Sequence, residues 1–358
     1  MPERQKLRFC TASDGVRLAY ATMGSGLPLV KAANWLSHLE YEWQSPIWRH
    51  WVEGLSRGRT YIRYDSRGCG LSDREPQDMS SEAWLRDLEA VVDATGFERF
   101  ALLGPSRGGA TAIEYAVRHP ERVSHLVLYG AFARGRLKRG GGPEKAAETA
   151  LYHQLAAMGW GTDNAAFRQV FAAEFLPEAT PDLIQAFDDL QRASVFAGDA
   201  VRFMEASAQI DVTELAPRVS CPTLVLHARN DVRVPFEEGR LLAALIPGAR
   251  LVPLESRNHI LLEAEPAWPR FLEEVNAFLP VAGMGADTFG KLSARERELL
   301  ELLARGYDNH QIAAHLDVRE KTVRNHISSI FSKLGVESRA QAIVRARDAG
   351  FGVPAGMK

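Results

Sequence analysis

A chain of 358 residues is too long for one ordinary core, so we expect two domains. Its hydrophobic share of 46% and charged share of 25% are ordinary for a globular protein and exclude a disordered chain. The formal charge of −2 is unevenly spread, because residues 291–358 carry twelve basic and eight acidic side chains, a net +4, which leaves −6 for the rest. This asymmetry favours an anion-binding tail on a mildly acidic body.

Cysteine usage and apolar runs indicate the compartment. Cys10, Cys69 and Cys221 have neither the spacing of a metal site nor the even number of a disulfide framework. The first ten residues lack the apolar core of a signal peptide, and no apolar run reaches the roughly eighteen residues that span a membrane. We therefore expect a soluble cytoplasmic protein with reduced thiols, no membrane contact, and no metal or cofactor.

The first part of the chain alternates predicted strands and helices. Two strands joined at Asp14-Gly15 come first. Further strands are predicted in LPLVKAA, GRTYIRYDSRGCGLSD, RFALLG, VSHLVLYGAF, CPTLVLHARND and ARLVPLE. Amphipathic helices such as SEAWLRDLEAVVDATG lie between them. This alternation predicts a mostly parallel sheet covered by helices on both faces.

Residues from about 134 to 212 interrupt the alternation. They are rich in Ala, Glu and Gln and helical in periodicity, which predicts a helical cap over the carboxyl edge of the sheet. The segment 280–290, PVAGMGADTFG, has the small residues of a linker. We therefore expect a ligand-binding domain over 1–279, with the cap inside it, and a second domain over 291–358.

One serine lies in a setting typical of a nucleophile. Residues 104–108, Gly-Pro-Ser-Arg-Gly, fit G-x-S-x-G, in which the serine occupies a tight turn between a strand and a helix. A serine hydroxyl needs a base, and the base needs an orienting acid. Asp231 follows the strand PTLVLHARND and His259 follows the next strand, so the chain order is Ser106, acid, histidine.

Together these segments resemble the α/β-hydrolase fold. The residues that carry the likeness are the turn at Ser106, YDSRGCGLSD, PTLVLHARND and NHILLEAEP. The resemblance implies an α/β fold with a helical cap, in which Ser106 is the nucleophile, His259 the general base and acid, and Asp231 the orienting carboxylate. It further implies an oxyanion hole formed by the backbone N–H groups of Trp35 and Arg107.

Several positions depart from the pattern of that family. Ala33-Asn34 stands where His-Gly is usual, Pro105 where His is common, and Arg107 where Met or Gln is common. Two roles are open for the Arg107 cation, which either binds a carboxylate on a ligand or pairs with a local acid. We interpret Asp65 as a turn former rather than a catalyst.

An aromatic-rich stretch follows the third strand. Its members are either the lining of a pocket for an apolar or aromatic ligand or a part of the core beneath the cap. They are Trp35, Tyr41, Trp43, Trp48 and Trp51.

The second domain divides into four predicted helices. Ser293 with Glu296 forms a capping box for the first helix, and Asn309 caps the short second helix. A tight turn at Asp317-Val318 precedes a longer helix over 319–334. A short helix, a tight turn and a longer helix describe a helix-turn-helix, whose second helix enters the major groove of DNA.

The stretches LSARERELLELLARG, NHQIAAHL, KTVRNHI and KLGV resemble the LuxR-type (GerE-like) helix-turn-helix. Arg324, Asn325 and Ser328 fall where that family contacts bases, and Arg suits guanine while Asn suits adenine. Lys321 and Thr322 are better placed for phosphates, which orient the protein without reading sequence.

The apolar faces of the last two helices have separate predicted roles. In the third helix one face packs inward, formed by Val323, Ile327 and Ile330. In the fourth helix one face resembles the family's dimer contact, formed by Ala342, Ile343 and Ala346. A two-fold homodimer predicts a pseudo-palindromic site in double-stranded DNA.

Three functions are open on this reading. The first is a transcriptional regulator whose hydrolase-like domain binds, or slowly hydrolyses, a small ester, lactone or acid signal. The second is an active esterase or lactonase whose tail regulates its own operon, so the residues alone leave enzyme activity undecided. The third, a DNA-binding protein whose first domain only dimerises, is weakest, because such a scaffold has no need of a serine, an acid and a histidine in this order.

Overall fold

The computed structural model describes residues 5–160, 162, 165–279, 292–334, 336, 338–348 and 351–352. The chain divides into two compact units, Met1–Leu279 and Pro280–Lys358. The predicted linker, residues 280–290, lies outside the described residues. Each unit is therefore described by itself.

One mixed sheet forms the centre of the first unit. In the described residues its strands are β1 (Lys6–Thr11), β2 (Arg17–Met23), β3 (Leu27–Lys31), β4 (Arg59–Tyr64), β5 (Phe100–Pro105), β6 (Val123–Tyr129), β7 (Thr223–Ala228) and β8 (Arg250–Leu254). They lie in the order β1-β2-β4-β3-β5-β6-β7-β8. Only β1 with β2 and β2 with β4 pair antiparallel, and the other neighbours in this list pair in parallel. The predicted mostly parallel sheet is confirmed.

Helices alternate with these strands and pack against them. They are α1 (Leu39–Gln44), α2 (Arg49–Ser56), α3 (Ser81–Thr95), α4 (Gly108–Arg118), α9 (Phe236–Leu245) and α10 (Ala267–Phe278). Between β6 and β7, in the segment predicted as a cap, lie α5 (Gly142–Gly159), α6 (Ala165–Phe175), α7 (Pro181–Ser194) and α8 (Ala197–Ala208).

Strand β5 lies inside the sheet and leads to the predicted nucleophile. All six of its residues are buried, because β3 pairs with it on one side and β6 on the other. A parallel strand of this kind needs an apolar sequence on both faces, as in FALLGP. Ser106 follows β5, Asp231 follows β7 and His259 follows β8, so all three lie at the carboxyl edge of the parallel strands.

The second unit contains four helices in its described residues: α11 (Ala294–Ala304), α12 (Asn309–Leu316), α13 (Glu320–Leu334) and α14 (Arg339–Asp348). The predicted capping box is confirmed, because Ser293 and Glu296 each accept a hydrogen bond from the other's backbone N–H. The predicted turn is confirmed too, since Asp317 ends α12 in the left-handed region with a φ of 50°. Leucine and isoleucine side chains of α11, α12 and α13 form a separate core.

Two predictions about this unit are wrong. Asp308 rather than Asn309 caps α12, because its carboxylate accepts a hydrogen bond from a backbone N–H of the first turn while Asn309 is already helical. The α14 face predicted as a dimer contact is turned inward: Ala342 and Ala346 are fully buried within the unit, and Ile343 is half-buried. Ala342 and Ala346 therefore present no surface to a second chain, whereas Ile343 is partly exposed and its role in a dimer stays a prediction.

Candidate functional site

Ser106 lies on a sharp turn between β5 and α4. Its φ of 50° is in the left-handed region, which a residue other than glycine adopts only where the surrounding structure enforces it. Both glycines of the motif are required by close approach. A Cβ on Gly104 would lie 2.8 Å from the Cβ of Ala112, and one on Gly108 would lie 2.8 Å from the carbonyl oxygen of Ala32. The turn can close only because these two side chains are missing.

The structure brings Ser106, His259 and Asp231 together in one hydrogen-bonded chain. His259 Nε2 lies 2.9 Å from Ser106 Oγ, and His259 Nδ1 lies 2.7 Å from Asp231 Oδ2. The other oxygen of Asp231 accepts hydrogen bonds from the backbone N–H groups of Arg233 and Val234, at 2.8 and 2.9 Å. Because the carboxylate is held at both oxygens, it fixes the ring of His259 with Nε2 facing the serine.

The backbone N–H groups predicted for the oxyanion hole are both available. Those of Trp35 and Arg107 donate to no acceptor in the described part of the chain. The loop after β3 approaches the nucleophile turn closely, since the carbonyl oxygens of Ala32 and Ala33 both lie next to Gly108. This arrangement leaves two donors free for an oxygen of a ligand.

The side chain of Arg107 holds the loop after β3 in place through hydrogen bonds. Its Nε donates to the carbonyl oxygen of Asn34 at 2.6 Å, and its Nη2 donates to that of Ala33 at 2.8 Å. The guanidinium is buried between the rings of Trp84 and Phe203, and this burial lowers the pKa of Arg107 to about 10. No described carboxylate forms an ion pair with it, so the prediction that it pairs with a local acid is wrong.

The residues predicted to contact DNA lie on the solvent side of α13. All five side chains are exposed: Lys321, Thr322, Arg324, Asn325 and Ser328. Of these five side chains, only that of Ser328 has a hydrogen-bond partner among the described residues: its hydroxyl donates to the carbonyl oxygen of Arg324 at 3.1 Å. The opposite face is buried, as predicted, and consists of Val323, Ile327 and Ile330.

Each of the two units matches a known protein family. The family described as alpha/beta hydrolase fold matches residues 37–266. The chain belongs to this family. Residues 290–346 match the family described as bacterial regulatory proteins, luxR family. The protein therefore joins a hydrolase domain to a luxR-type DNA-binding domain, and both resemblances found in the sequence are confirmed.

Individual relatives resemble the hydrolase domain. RutD of Klebsiella pneumoniae, provisionally named a carbamate hydrolase, is 28% identical over 228 residues, which cover 62% of this chain and 83% of RutD. A hydrolase from Pseudomonas aeruginosa is 26% identical, with a TM-score of 0.64, over 76% of this chain and 98% of that one. An esterase from Exiguobacterium antarcticum is 25% identical, with a TM-score of 0.64, over 75% and 98%.

Two cavities of the hydrolase domain meet at Ser106. One, which we call the slot, is mostly aromatic and aliphatic, with walls that include Trp48, Trp51, Leu103, Tyr129 and Phe187. The other, which we call the vestibule, is bordered by α5, α6 and α8. Trp35 and Phe175 line both cavities. A ligand bound at the serine therefore has one apolar compartment and one beneath the cap helices.

The aromatic stretch after β3 combines the two roles left open by its sequence at three of its rings, which are buried in the core and also line a cavity. Trp35, Trp48 and Trp51 line the slot. Tyr41 is half-exposed, and Trp43 lies under the guanidinium of Arg49. The pocket interpretation therefore applies to three of the five rings.

Sequence reasoning missed two residues that support the histidine and the acid. The Tyr129 hydroxyl donates to the carbonyl oxygen of His259 at 2.9 Å. His227 is fully buried, with Nε2 3.7 Å from Asp231 Oδ2 and 2.9 Å from the carbonyl oxygen of Val234. Burial lowers the pKa of His227, which favours a neutral ring that donates to this carbonyl. Tyr129 and His227 lie at the carboxyl ends of β6 and β7, and this position is the feature of the sequence that could have identified them.

Asp65 supports a turn, as its sequence context predicts. Its carboxylate accepts hydrogen bonds from the backbone N–H groups of Leu39 at 3.2 Å and Leu71 at 2.9 Å. It is fully buried and fills the space that a side chain at position 70 would need, so the glycine there is obligatory. Asp65 lines neither the slot nor the vestibule.

No group of three or more His, Cys, Asp or Glu side chains in the described chain is arranged to hold a metal ion. Cys10, Cys69 and Cys221 are all free thiols. Within the described ranges, no helix has both the length and the apolar character needed to cross a bilayer.

Proposed function

We propose that this protein is a transcriptional regulator that responds to a small ester, lactone or acid, bound in its hydrolase domain and, where the bond allows, slowly hydrolysed there. The observation that carries the proposal is the hydrogen-bonded chain Ser106–His259–Asp231 in a protein that also exposes the recognition face of a luxR-type helix. A scaffold that only held two DNA-binding tails together would not require this chain of contacts.

The geometry supports a definite role for each group at the serine. Ser106 Oγ attacks the acyl carbon while His259 Nε2 takes its proton, and Asp231 stabilises the resulting imidazolium. The carbonyl oxygen, now negative, accepts hydrogen bonds from the backbone N–H groups of Trp35 and Arg107. His259 then returns the proton to the leaving oxygen, and water releases the acid from Ser106 by the same steps in reverse.

In the DNA-binding domain, α13 enters the major groove. Arg324, Asn325 and Ser328 contact base edges, while Lys321 and Thr322 contact phosphates. We propose a homodimer on a pseudo-palindromic duplex, acting in the cytoplasm where this target lies. Its dimer contact lies on surfaces other than the buried face of α14. Residues 1–279, including the cap over 134–212, then sense the ligand, and 280–290 link them to residues 291–358.

A second candidate function is an active esterase or lactonase whose tail regulates its own operon. The distance of 2.9 Å between His259 Nε2 and Ser106 Oγ favours it, because a domain that only binds has no need of a nucleophile beside its base. The similarity to an esterase supports it as well.

Two measurements test these functions. The first compares the turnover of p-nitrophenyl acetate and of a simple lactone between the natural protein and Ser106→Ala. Equal background rates in both proteins would exclude the esterase function and the hydrolytic part of the sensor function. Mobility shifts on DNA from upstream of the gene, with and without the same esters, test the sensor. If a ligand occupies the pocket but changes neither the affinity for DNA nor transcription, the sensor function is excluded and the esterase function remains.

A further inference from the structure

The vestibule has an unusual distribution of charge. Four arginines line it: Arg107, Arg136, Arg139 and Arg233. No aspartate or glutamate is among the described residues that line it. A partly enclosed cavity with cations on its wall and no anion favours a ligand of negative charge, because the local dielectric is lower than that of water and strengthens the attraction.

One carboxylate behind the wall is shared by two of these cations. Glu174 lies 3.0 Å from an Nη atom of Arg136 and 2.5 Å from one of Arg233, and it accepts a hydrogen bond from the Tyr152 hydroxyl at 2.7 Å. Burial acts to raise the pKa of Glu174, but Arg233 and Arg136 outweigh it and hold this pKa below its usual range. The exposed Glu148 approaches Arg136 only at 3.9 Å. Arg136 and Arg233 thus share the carboxylate of Glu174, and Asp231 adds negative charge near Arg233.

Arg139 has no such partner. No described carboxylate lies within ion-pair distance of it, and its one hydrogen bond runs from Nε to the carbonyl oxygen of Arg134 at 2.8 Å. The carboxylates of Glu238 and Asp231 act on Arg139 only from beyond ion-pair distance, and Glu238 is paired with Arg134 at 2.7 Å. Burial, together with repulsion from Arg233 and Arg136, lowers the pKa of Arg139 to about 10. Its Nη groups remain available for an anion.

The slot on the other side of Ser106 differs. Its one lysine, Lys31, lies 3.8 Å from Glu42, which also pairs with Arg63, and 4.9 Å from the ring of Trp48. Arg107 has no ion-pair partner among the described residues, but two of its nitrogens hold the loop after β3. Arg139, whose guanidinium lies over the ring of Phe132 at 5.1 Å, is therefore the cation on these two walls for which neither Nη group has a hydrogen-bond or ion-pair partner in the described chain.

We propose that the vestibule is a carboxylate-binding subsite in which Arg139, with Arg136 beside it, holds an acidic group of the ligand while the apolar part of the ligand fills the slot. This assignment rests on the proposed function, whose ligand class it narrows to esters or lactones that carry a separate carboxylate. A guanidinium presents paired N–H groups that fit a carboxylate in two parallel hydrogen bonds, so binding an acid satisfies groups that have no partner in the chain.

The test compares two esters that differ by one methyl group, which caps the free carboxylate and removes its charge. Monobenzyl glutarate and benzyl methyl glutarate are titrated by calorimetry into the full-length Ser106→Ala protein, which cannot turn them over. We expect the anionic monoester to bind at least about tenfold more tightly than the neutral diester. In Ser106→Ala/Arg139→Gln this preference falls to about twofold or less, whereas Arg139→Lys retains a part of it because the charge remains.

Controls separate the subsite from folding and from catalysis. Arg270→Gln removes an exposed arginine outside both cavities and leaves the preference unchanged. If Arg139→Gln does not fold, the salt dependence with Arg139 intact decides: monoester binding weakens between about 50 and 300 mM NaCl while diester binding does not. Equal affinity for both esters overturns the proposal. The subsite and the hydrolysis are tested separately: if Ser106→Ala shows the preference but the natural protein hydrolyses neither ester, hydrolysis is excluded and the subsite remains.

Discussion

The two units of this protein prepare their functional groups in opposite ways. In the hydrolase domain Ser106, Asp231 and His259 come from three loops, with 153 positions between the serine and the histidine, and each is hydrogen bonded. Asp231 and His259 are 8% and 3% exposed. In the DNA-binding domain the predicted contacts fall within residues 321–328 of one helix, and all are exposed.

The difference follows from what each surface meets. Groups that move a proton must be oriented before the ligand arrives and shielded from water, so the fold itself supplies their partners. Groups that read a duplex receive their partners from the DNA, and hydrogen bonds within the chain would compete with these contacts. Substitutions at the site in the first unit should therefore alter the rate of hydrolysis, and substitutions on α13 should alter the affinity for DNA.

The largest expected effect comes from Asp231→Asn. An amide cannot hold His259 with Nε2 as the acceptor, so we expect kcat for p-nitrophenyl acetate to fall about 10⁴-fold. Fluorescence anisotropy with DNA serves as the control and should show unchanged affinity for bare DNA. A loss of less than about tenfold would mean that the ordered chain of contacts does not carry the reaction.

Arg107→Met sharpens the role of the loop after β3. Methionine fills the space between Trp84 and Phe203 but cannot hold the carbonyl oxygens of Ala33 and Asn34, so the oxyanion donors lose their alignment. We expect kcat to fall about 10- to 100-fold with little change in KM, because these donors act mainly in the transition state. Arg118→Met, at an exposed arginine of α4, is the matched control. An equal effect on KM would point to ligand binding instead.

Arg324→Ala tests the exposed face. Loss of a bidentate contact to guanine should weaken binding to the preferred duplex by about 1–3 kcal/mol and relax the preference at one base pair. Lys321→Ala should instead weaken all sequences alike and reduce the salt slope by about one. Anisotropy titrations on the selected duplex and on single-base variants measure both. Full affinity in Arg324→Ala would contradict its assignment as a base contact.

The smallest effect concerns stability of the DNA-binding domain. Hydrogen bonds from Lys333, from the N–H of Ser293 and from Ser329 hold the pKa of Glu296 at about 2. Because this pKa is lower in the folded state, the stabilisation is complete above the unfolded value of 4.5 and is lost as pH falls toward about 2. Near neutral pH, Glu296→Gln should lower the free energy of unfolding by about 2 kcal/mol, and this difference should shrink in acid.

The measurement for Glu296→Gln uses the distribution of tryptophan. All seven tryptophans precede residue 269, so their fluorescence follows the hydrolase domain while far-UV circular dichroism follows both. The variant should lose circular dichroism at lower denaturant with unchanged fluorescence. A difference that persists unchanged to pH 3 would contradict the assigned pKa.

The sequence predicted those features that depend on local pattern and chain order. Alternating strands and helices, the turn at Ser106, the order of Ser106, Asp231 and His259, and the inward face of α13 were all readable in this way. These features follow from hydrophobic periodicity and from glycines placed where the backbone has no alternative.

Features that depend on contacts between distant segments were not readable. The hydrogen bonds of Arg107 to the loop after β3 span more than seventy positions. His227 lies only four positions from Asp231, yet the two side chains meet only once β7 and its loop are formed. The cap of α12 was also not readable from the sequence, because Asp308 and Asn309 are adjacent and both are good capping residues. Only the backbone conformation shows that Asp308 is the cap and Asn309 the first helical residue. The buried face of α14 was mistaken for a surface, since an apolar stripe on a helix does not reveal which neighbour covers it.

The central claim is that occupancy at Ser106 governs DNA binding, and a covalent ligand tests it most directly. A fluorophosphonate is expected to be attacked by Ser106 with loss of fluoride, which fills the pocket permanently, and intact mass measures the extent. The affinity of labelled and unlabelled protein for a duplex selected from a random pool is then compared, with reagent-treated Ser106→Ala as the control. The account predicts a change of at least about fivefold on labelling and none in the control. Superimposable binding curves for fully labelled and unlabelled protein would contradict it.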